Sequence, residues 1–289
     1  MPTALDGDPT WLGDLPLNVI DDNGVAWIVT STGGWSGGAA TTQQVVQRQS
    51  DHGGYASGSW LTPKPLTPAV TIQAPTAALR DTAVEALKAA ASLTATTMRV
   101  QEAGYDRTRT VQRQGEPLVT KYGTSAEVSL SLVAADPRLY SATGYTGSCG
   151  LPSVIGGLTF PAAFPLVFDA TVSSGQIPVA NIGTVGSRPM LRITGPCVTP
   201  VVTLQDPDGS VQQLIYNGTL QALDYLDLDC DRHTAIINGT ASRRGLLTVA
   251  GGWPQIPPRA DVTTAALYFN ANSTTGAPIL TASWYDAWE

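Results

Sequence analysis

The sequence predicts a mainly β protein with a single α-helix, and three observations carry that prediction. Glycine and proline are abundant among its 289 residues, with 29 and 21 copies, as in chains built from many short strands and turns. Asn-Gly and Asp-Gly pairs recur between apolar segments, where tight hairpin turns need residues that accept a positive φ. Only one segment combines strong helix formers with helical spacing of its apolar residues.

That segment is the predicted helix, residues 77–92, which follows Pro75 and takes Thr76 as its N-cap. Its sequence, AALRDTAVEALKAAAS, is rich in the residues that favour helices most. The apolar positions expected to share one face are Leu79, Ala83, Leu87 and Ala90. We expect this face to pack against a sheet.

Strand patterns fill most of the remaining sequence. In residues 126–134, Val128, Leu130 and Leu132 alternate with polar residues, which predicts a strand buried on one face. Four turn pairs are predicted between strands: Asn23-Gly24, Asp208-Gly209, Asn217-Gly218 and Asn238-Gly239. We expect Asn217-Gly218 to turn the strand 211–216 directly into a strand of residues 219–229.

A Gly/Ser-rich stretch, residues 141–157, separates a first half that contains the helix from a second half of strands alone. We place a domain boundary there, which gives an N-terminal domain of residues 1–145 and a C-terminal domain of residues 146–289.

The charge of the chain argues against a nucleic-acid binder. Charged residues are 13% of the sequence, about half the usual fraction, and the net charge is −7. A nucleic-acid binder would need a basic surface. Four arginines form a modest basic cluster that Glu102 and Asp106 offset, which indicates a solvated or subunit-facing strand pair. The four are Arg99, Arg107, Arg109 and Arg113.

The compartment is inferred from what the sequence lacks. It contains no apolar stretch long enough to span a membrane, and its acidic N-terminus does not match a signal peptide. Cys149, Cys197 and Cys230 are odd in number and widely spaced, which indicates reduced structural thiols without zinc or disulfides. We expect a protein made and used without crossing a membrane by its own signal.

One segment resembles the nucleophile motif of hydrolases. Residues 34–38, GWSGG, fit G-x-S-x-G with Ser36 as nucleophile, and His52 begins an HGG segment. The residues that follow Ser36 indicate a strand where the motif needs a helix, and the HGG segment follows the serine instead of preceding it. We therefore expect a Gly-rich turn and no catalytic or cofactor-binding residues, with a hydrolase using Ser36 as a remote alternative.

Three aspartates have the spacing of ligands in an EF-hand calcium loop. Asp227, Asp229 and Asp231 match its first three ligand positions, but Arg232 stands where the loop needs glycine and Asn238 where it needs glutamate. The alternating residues, Leu226, Leu228 and Cys230, are expected in the core. We predict a strand with its aspartates in water and no metal site, and a calcium ion on this face stays open as an alternative.

Several short segments, in order along the chain, carry a family resemblance. They are residues 134–141 (AADPRLYS), 156–161 with Phe164-Pro165, 181–184 leading into 188–195, 220–229, and the aromatic end 284–288 (WYDAW). Together they resemble the distal tail proteins of siphoviruses, also called tail components or minor tail proteins, over roughly residues 15–289. Residues 257–261 (PPRAD) depart from the family's P-G-x-N turn.

The resemblance implies a structural virion protein without enzymatic activity or cofactor. It implies a homo-hexamer, as one ring or two stacked rings, formed by the N-terminal domains at the end of the tail tube. The ring would bind the tail tube protein, the tape measure protein and the downstream tail-tip and receptor-binding proteins. DNA would pass through its channel without specific binding, and no membrane would be contacted. The location implied is the tail tip, after assembly in the host cytoplasm.

The resemblance also implies that the C-terminal domain is a galectin-like or carbohydrate-module-like β-sandwich. A second hypothesis follows, in which the protein is an adhesin that binds host cell-wall sugar through this domain. Trp253 and Tyr216 are the candidate glycan contacts, because aromatic rings stack on sugar faces. Trp253 lies between Gly251-Gly252 and Pro254, and packing in the core or a hinge is its alternative role.

Overall fold

The computed structural model describes residues 2–155, 171–206, 208–259, 265–272 and 276–289. The prediction of a mainly β protein with one α-helix is confirmed. The chain divides into two compact units, residues 1–142 and 143–288, where the sequence placed a boundary after residue 145.

The first unit contains the helix and the first sixteen strands of the described chain. Their bounds are β1 (Thr3–Ala4), β2 (Thr10–Leu12), β3 (Leu15–Leu17), β4 (Val19–Ile20), β5 (Ala26–Gly33), β6 (Thr41–Thr42), β7 (Val45–Gln47), β8 (Gly54–Ala56), β9 (Trp60–Leu61), β10 (Lys64–Gln73), α1 (Ala77–Ala90), β11 (Thr96–Glu102), β12 (Tyr105–Arg113), β13 (Leu118–Tyr122), β14 (Ser125–Ser129), β15 (Leu132–Ala134) and β16 (Leu139–Ser141). An antiparallel sheet in the order β1-β4-β5-β10-β15-β12-β11-β2-β3 forms its frame.

The predicted strand 126–134 follows β10 in one unbroken register. Val70 lies opposite Val128 in β14, and Leu66 lies opposite Leu132 in β15. The strand is interrupted between β14 and β15, opposite Pro68, because proline has no N–H to donate to the ladder. The Pro68 carbonyl still accepts a 2.9 Å hydrogen bond from the N–H of Leu130. The alternating apolar side chains of the segment are buried, as predicted.

The predicted helix is confirmed as α1, which ends at Ala90, two residues early. The Thr76 hydroxyl caps it by accepting a 3.3 Å hydrogen bond from the N–H of Leu79. Ala83, Val84 and Leu87 are its buried side chains, and they pack towards β10 and β14. The predicted face is correct at Ala83 and Leu87, whereas Leu79 and Ala90 are only half-buried.

The second unit contains strands and one short 3-10 helix, η1 (Arg244–Leu246). The strand bounds are β17 (Tyr145–Gly150), β18 (Ser153–Ile155), β19 (Thr171–Ser173), β20 (Gln176–Pro178), β21 (Met190–Thr194), β22 (Cys197–Val198), β23 (Val201–Gln205), β24 (Val211–Tyr216), β25 (Thr219–Leu220), β26 (Tyr225–Asp229), β27 (Thr234–Ile237), β28 (Ala241–Ser242), β29 (Leu247–Ala250), β30 (Ala266–Asn270), β31 (Ile279–Trp284) and β32 (Ala287–Trp288).

Two antiparallel sheets of this unit form a β-sandwich. One sheet has the order β17-β31-β21-β26-β27-β28, and the other has the order β20-β30-β23-β24-β29. The inward residues of both sheets, such as Leu191 and Leu228 in the first and Val202 and Phe269 in the second, share one buried cluster. The sandwich expected of this domain is therefore present.

Three of the four predicted hairpin turns are correct. Gly24 and Gly209 adopt positive φ values between paired strands, and Asn238-Gly239 turns β27 into β28 with φ values of 50° and 68°. The Asn217-Gly218 hairpin is wrong. Strand β24 already pairs with β23 and β29, so the chain after it cannot fold back onto it. It leaves the sheet instead, and β26 joins the opposite sheet of the sandwich.

Residues 156–165, which carry part of the resemblance, lie outside the described residues. The end of residues 257–261, where the sequence departs from the family's turn, lies outside them too. Within the described part of the chain, no helix has the length and apolarity that a bilayer span requires.

Candidate functional site: an exposed β-ribbon and two hydrogen-bond networks

Residues 40–61 form a two-stranded ribbon, which we call the arm. Strand β7 pairs with β8, placing Val46 opposite Tyr55, and β6 pairs with β9, placing Thr42 opposite Trp60. A 2.8 Å hydrogen bond from the N–H of Ser57 to the Gln44 carbonyl joins the two ladders. Among the described strands, those of the arm pair only with each other.

The arm contains no buried side chain. Every residue from 40 to 60 is exposed, including the large apolar side chains of Val45 (63%), Val46 (57%), Tyr55 (67%) and Trp60 (69%). An isolated two-stranded ribbon is marginally stable in water, and exposed apolar clusters mark interaction surfaces. The arm thus presents apolar side chains that only a partner could bury. The sequence predicts strands here but does not show that they are exposed.

The hydrolase-like motif is a Gly-rich turn that leads into the arm, as predicted. Gly34 has a φ of 85°, and a Cβ there would lie 2.5 Å from the Pro65 carbonyl oxygen. Trp35 is buried, Ser36 is exposed, and a strand follows where a nucleophile elbow requires a helix. His52 lies in the exposed turn between β7 and β8, at the far end of the arm.

The expected solvated arginine cluster is wrong at Arg109, which is only 1% exposed. Its guanidinium donates hydrogen bonds to the carbonyl oxygens of Pro137 (2.8 Å), Trp35 (3.3 Å) and Arg138 (3.4 Å). Burial lowers the pKa of Arg109 to about 10. The acceptors lie far away in sequence, so spacing alone could not reveal this role.

Other arginines of the cluster behave as expected. Arg99 forms a salt bridge with Asp106 at 2.5 Å, and Arg107 pairs with Glu102. Both pairs lie between β11 and β12, whose strands run antiparallel. The neighbouring carboxylates offset these charges, which leaves no strongly basic groove on this strand pair.

The segment 134–141, which carries the resemblance, closes around Asp136. Its carboxylate accepts hydrogen bonds from the Tyr140 hydroxyl (2.5 Å) and the Arg138 N–H (3.1 Å). Burial and the Asp136 charge raise the pKa of Tyr140 above its usual range. This network holds the loop in the shape in which its carbonyls bind Arg109, so the D-P-R-x-Y pattern has a structural role.

A second buried network connects the Asn-Ile-Gly segment to the aromatic end of the chain within the sandwich. The Asn181 side chain is fully buried, donates to the Val185 carbonyl (2.8 Å) and accepts from the N–H groups of Gly183 (3.0 Å) and Ala287 (3.1 Å). Asp286 accepts hydrogen bonds from the Ile182 N–H and the Tyr145 hydroxyl, each 2.9 Å long. These residue patterns are therefore explained by loop packing.

The acidic strand uses its carboxylates internally. Asp227 forms a bidentate pair with Arg192 across the β21–β26 ladder, with distances of 2.6 and 2.9 Å. One oxygen of Asp229 accepts from the N–H groups of Asp231 and Arg232, both at 2.9 Å, and Asp231 pairs with Arg188 at 2.7 Å. Leu226, Leu228 and Cys230 are buried, as predicted.

The remaining metal candidates are the thiols. Cys149, Cys197 and Cys230 are free, and burial raises the pKa of the first two to about 11. Within the described ranges, no three His, Cys, Asp or Glu side chains converge closely enough to hold a metal ion.

The two candidate glycan contacts, Tyr216 and Trp253, lie in different surroundings in the structure. Tyr216 is 3% exposed and belongs to the sandwich core, so its proposed role in stacking on a sugar is wrong. Trp253 is half-buried: the His233 ring stacks on it at 5.0 Å, and the Arg244 guanidinium lies 5.3 Å from its centre. The indole faces are thus already engaged by the protein.

The two units define a mainly β protein in which a sheet domain carrying one helix precedes a β-sandwich. The crystal structure of the Dit protein of phage SPP1, described as a paradigm of the hub adsorption apparatus in phages that infect Gram-positive bacteria, has this fold. Its TM-score is 0.58 at 14% identity, and the match covers 98% of this chain and 100% of that one.

Two structures of the phage P2 baseplate in its activated conformation are less similar. The structures with Ca and with Sr have TM-scores of 0.48 and 0.46 at 11% and 10% identity, covering 96% of this chain and 97% of theirs. No family model and no curated protein matches the sequence.

Proposed function

We propose that this protein is the distal tail hub of a siphovirus, a non-enzymatic component that closes into a hexameric ring through its first unit. The observation that carries the proposal is the fold shared with SPP1 Dit over both units. The resembling segments also support it, because two of them form the hydrogen-bond networks around Asp136 and Asn181.

The arm is the proposed contact between neighbouring copies. A ring needs a head-to-tail contact, in which one surface of each copy meets a different surface of the next. The arm offers unpaired strand edges and four large apolar side chains, which can add to a sheet edge and bury apolar area together. Among the described strands of the first unit's sheet, three have only one neighbour each, β1, β3 and β13, and their free sides are the available edges.

The charge of the chain suits a channel through which DNA passes. A net charge of −7 gives passing phosphates no general attraction, so DNA would not be held on the wall. In this proposal the ring joins the tail tube and tape measure proteins to the tail-tip and receptor-binding proteins, and the protein resides at the virion tail tip.

Negative-stain microscopy of the purified full chain tests the proposal. We expect six-fold rings for the natural chain, and no rings after residues 41–61 are replaced by a short Gly/Ser linker. Leu223→Ser is the matched control, because Leu223 is 94% exposed but lies in the second unit. Particles without six-fold symmetry in the natural chain would refute the ring, and intact rings without the arm would refute its role.

A further inference from the structure

A buried lysine without a hydrogen-bond partner lies at the root of the arm. Lys64 begins β10, where the chain has just left the arm, and it is only 4% exposed. Its Nζ is shielded from solvent, and no described residue accepts a hydrogen bond from it. Buried polar groups in folded proteins are almost always hydrogen-bonded, and an unpaired buried charge costs far more than an unpaired neutral group.

A second buried cation increases this cost. Burial lowers the pKa of Lys64, and the positive charge of the neighbouring Arg109 lowers this pKa further. The Arg109 guanidinium donates its own hydrogen bonds to backbone carbonyls. The charge of Glu289 favours the protonated lysine, but its carboxylate does not accept a hydrogen bond from Nζ. Two buried cations thus lie near each other, and the described residues place no carboxylate in direct contact with Lys64.

The Lys64 ammonium lies beside the Gly-rich turn of residues 34–38, which leads into the arm. A Cβ added to Gly37 would lie 4.0 Å from Nζ, and apart from the adjoining residues no other described atom would lie within 4 Å of it. The space beside Gly37 is therefore open, and the ammonium is the group nearest to it. Residues 36–38 are exposed, so solvent reaches the outer side of the turn.

The turn adds further hydrogen-bond donors. The backbone N–H groups of Ser36, Gly37 and Gly38 have no acceptor among the described residues, and the indole N–H of Trp35 is buried without one. Successive backbone N–H groups in a turn can form a concave binding site for an anion. Glycine favours such a site, because no Cβ keeps the ligand away from the backbone.

We propose that Lys64 and the turn of residues 34–38 form a binding site for a small oxyanion, such as inorganic phosphate or a carboxylate. The Lys64 ammonium and the N–H groups of residues 36–38 would donate hydrogen bonds to its oxygens. These groups are donors only, which suits a ligand whose charged oxygens accept. Because the turn covers the ammonium, it has to shift as the ligand enters, and Gly37 and Gly38 permit this shift.

Glu289 opposes the ligand at this site. A Cβ at Gly38 would lie 3.3 Å from the Glu289 Oε1, so a carboxylate already lies on the neighbouring side of the turn. Its charge attracts the ammonium and repels an entering anion. The inference goes beyond the hub function and does not depend on the ring, because all of these groups belong to the first compact unit of a single chain.

Calorimetric titration of the full chain tests the proposal, with sodium phosphate, sulfate and acetate at constant ionic strength and with sodium chloride as the control. We expect at least one of the three oxyanions to saturate one site per chain and chloride not to bind. Saturation separates this site from the general stabilisation that phosphate and sulfate give through exclusion from protein surfaces. Lys64→Met should weaken binding by about tenfold or more, because it removes a charged donor from a side chain of similar length.

Two glycine variants test where the ligand binds. Gly37→Ala places a methyl group in the open space beside the ammonium and should weaken binding by about tenfold or more. Gly104→Ala is the matched control in the turn between β11 and β12, because its Cβ would meet no atom within 4 Å. Neither glycine has a positive φ, so both variants should fold. Glu289→Gln should tighten binding by about twofold or more, because it removes a like charge.

The inference is overturned if no oxyanion saturates a site, if chloride binds equally well, or if Lys64→Met binds as the natural chain does. Equal binding by Gly37→Ala and Gly104→Ala would also overturn it. If Lys64→Met does not fold, the two glycine variants still decide the question. Failure of the ring leaves these measurements unaffected, because they are made on each variant whatever its mass.

Discussion

The guanidinium of Arg109 lies 2.8 Å from the carbonyl oxygen of Pro137 and holds strand β12 against the loop that precedes β16. The charge is buried and is stabilised mainly by backbone carbonyl oxygens, with the Asp136 carboxylate contributing a favourable longer-range attraction. A buried cation held in this way depends on the planar fork of arginine, which places several N–H donors in fixed directions. Arg109 is therefore a structural residue of the first unit.

Arg109→Lys should destabilise the first unit although it keeps the charge. One ammonium group cannot reach three carbonyls arranged around a guanidinium, so at least one acceptor loses its donor. We expect a loss of about 2 kcal/mol or more in the free energy of unfolding, measured by urea denaturation. Arg113→Lys, on the same strand and half-exposed, should change it by less than about 0.5 kcal/mol. Equal effects of the two substitutions would contradict this role.

Gly183→Ala should disrupt the end of the sandwich. A Cβ at this position would lie 1.8 Å from the Ala287 carbonyl oxygen, so the backbone near residue 287 must move and the Asn181 hydrogen bonds must break. We expect a loss of about 3 kcal/mol or more, seen as a lower thermal midpoint. Gly245→Ala is the matched control in the same unit, because its Cβ would meet no atom within 4 Å. A normal midpoint for Gly183→Ala would show that the close approach is relieved at little cost.

The thiols should react slowly and with a shifted pH dependence. Burial raises the pKa of Cys149 and Cys197 from 9.0 to about 11, so the thiolate fraction at pH 8 falls by about a hundredfold. Alkylation by iodoacetamide should be slower by about this factor than in urea, and its rate should keep rising until the pH approaches 11. A plateau near pH 9 in the folded protein would contradict the burial of these groups.

Calcium should not stabilise the sandwich through the acidic strand. Both oxygens of Asp227 are held by Arg192, and one oxygen of Asp229 caps two backbone N–H groups. A ligand that binds only the folded state raises its unfolding temperature. We expect millimolar CaCl₂ to change the thermal midpoint by less than about 1 °C, as MgCl₂ does at equal ionic strength. A calcium-specific increase that disappears in Asp227→Asn would restore the ion site.

The features predictable from the sequence depend on local patterns. The helix is predictable because Thr76 and the alanine-rich segment determine its start and composition within a few residues. The strand 126–134 is predictable because burial on one face imposes a period of two. The turn at Asn238-Gly239 is predictable because its two positive φ values suit that pair.

The remaining features depend on contacts between distant parts of the chain. Asn217-Gly218 has hairpin chemistry, but strand β24 has both edges occupied, and the sequence does not show which edges are free. Arg109 resembles any arginine in a polar strand until Trp35 and Pro137 approach it from positions 74 and 28 residues away. The burial of Tyr216 is concealed for the same reason, because the core that encloses it is built from strands distant in sequence.

Native mass spectrometry of the purified chain tests the hub proposal most directly. We expect six times the 30.1 kDa of one chain, about 181 kDa, or twice that mass for two stacked rings. Replacement of residues 41–61 should return the mass to that of one shortened chain, with a normal circular dichroism spectrum. A natural chain that stays at 30.1 kDa at every concentration would contradict the account.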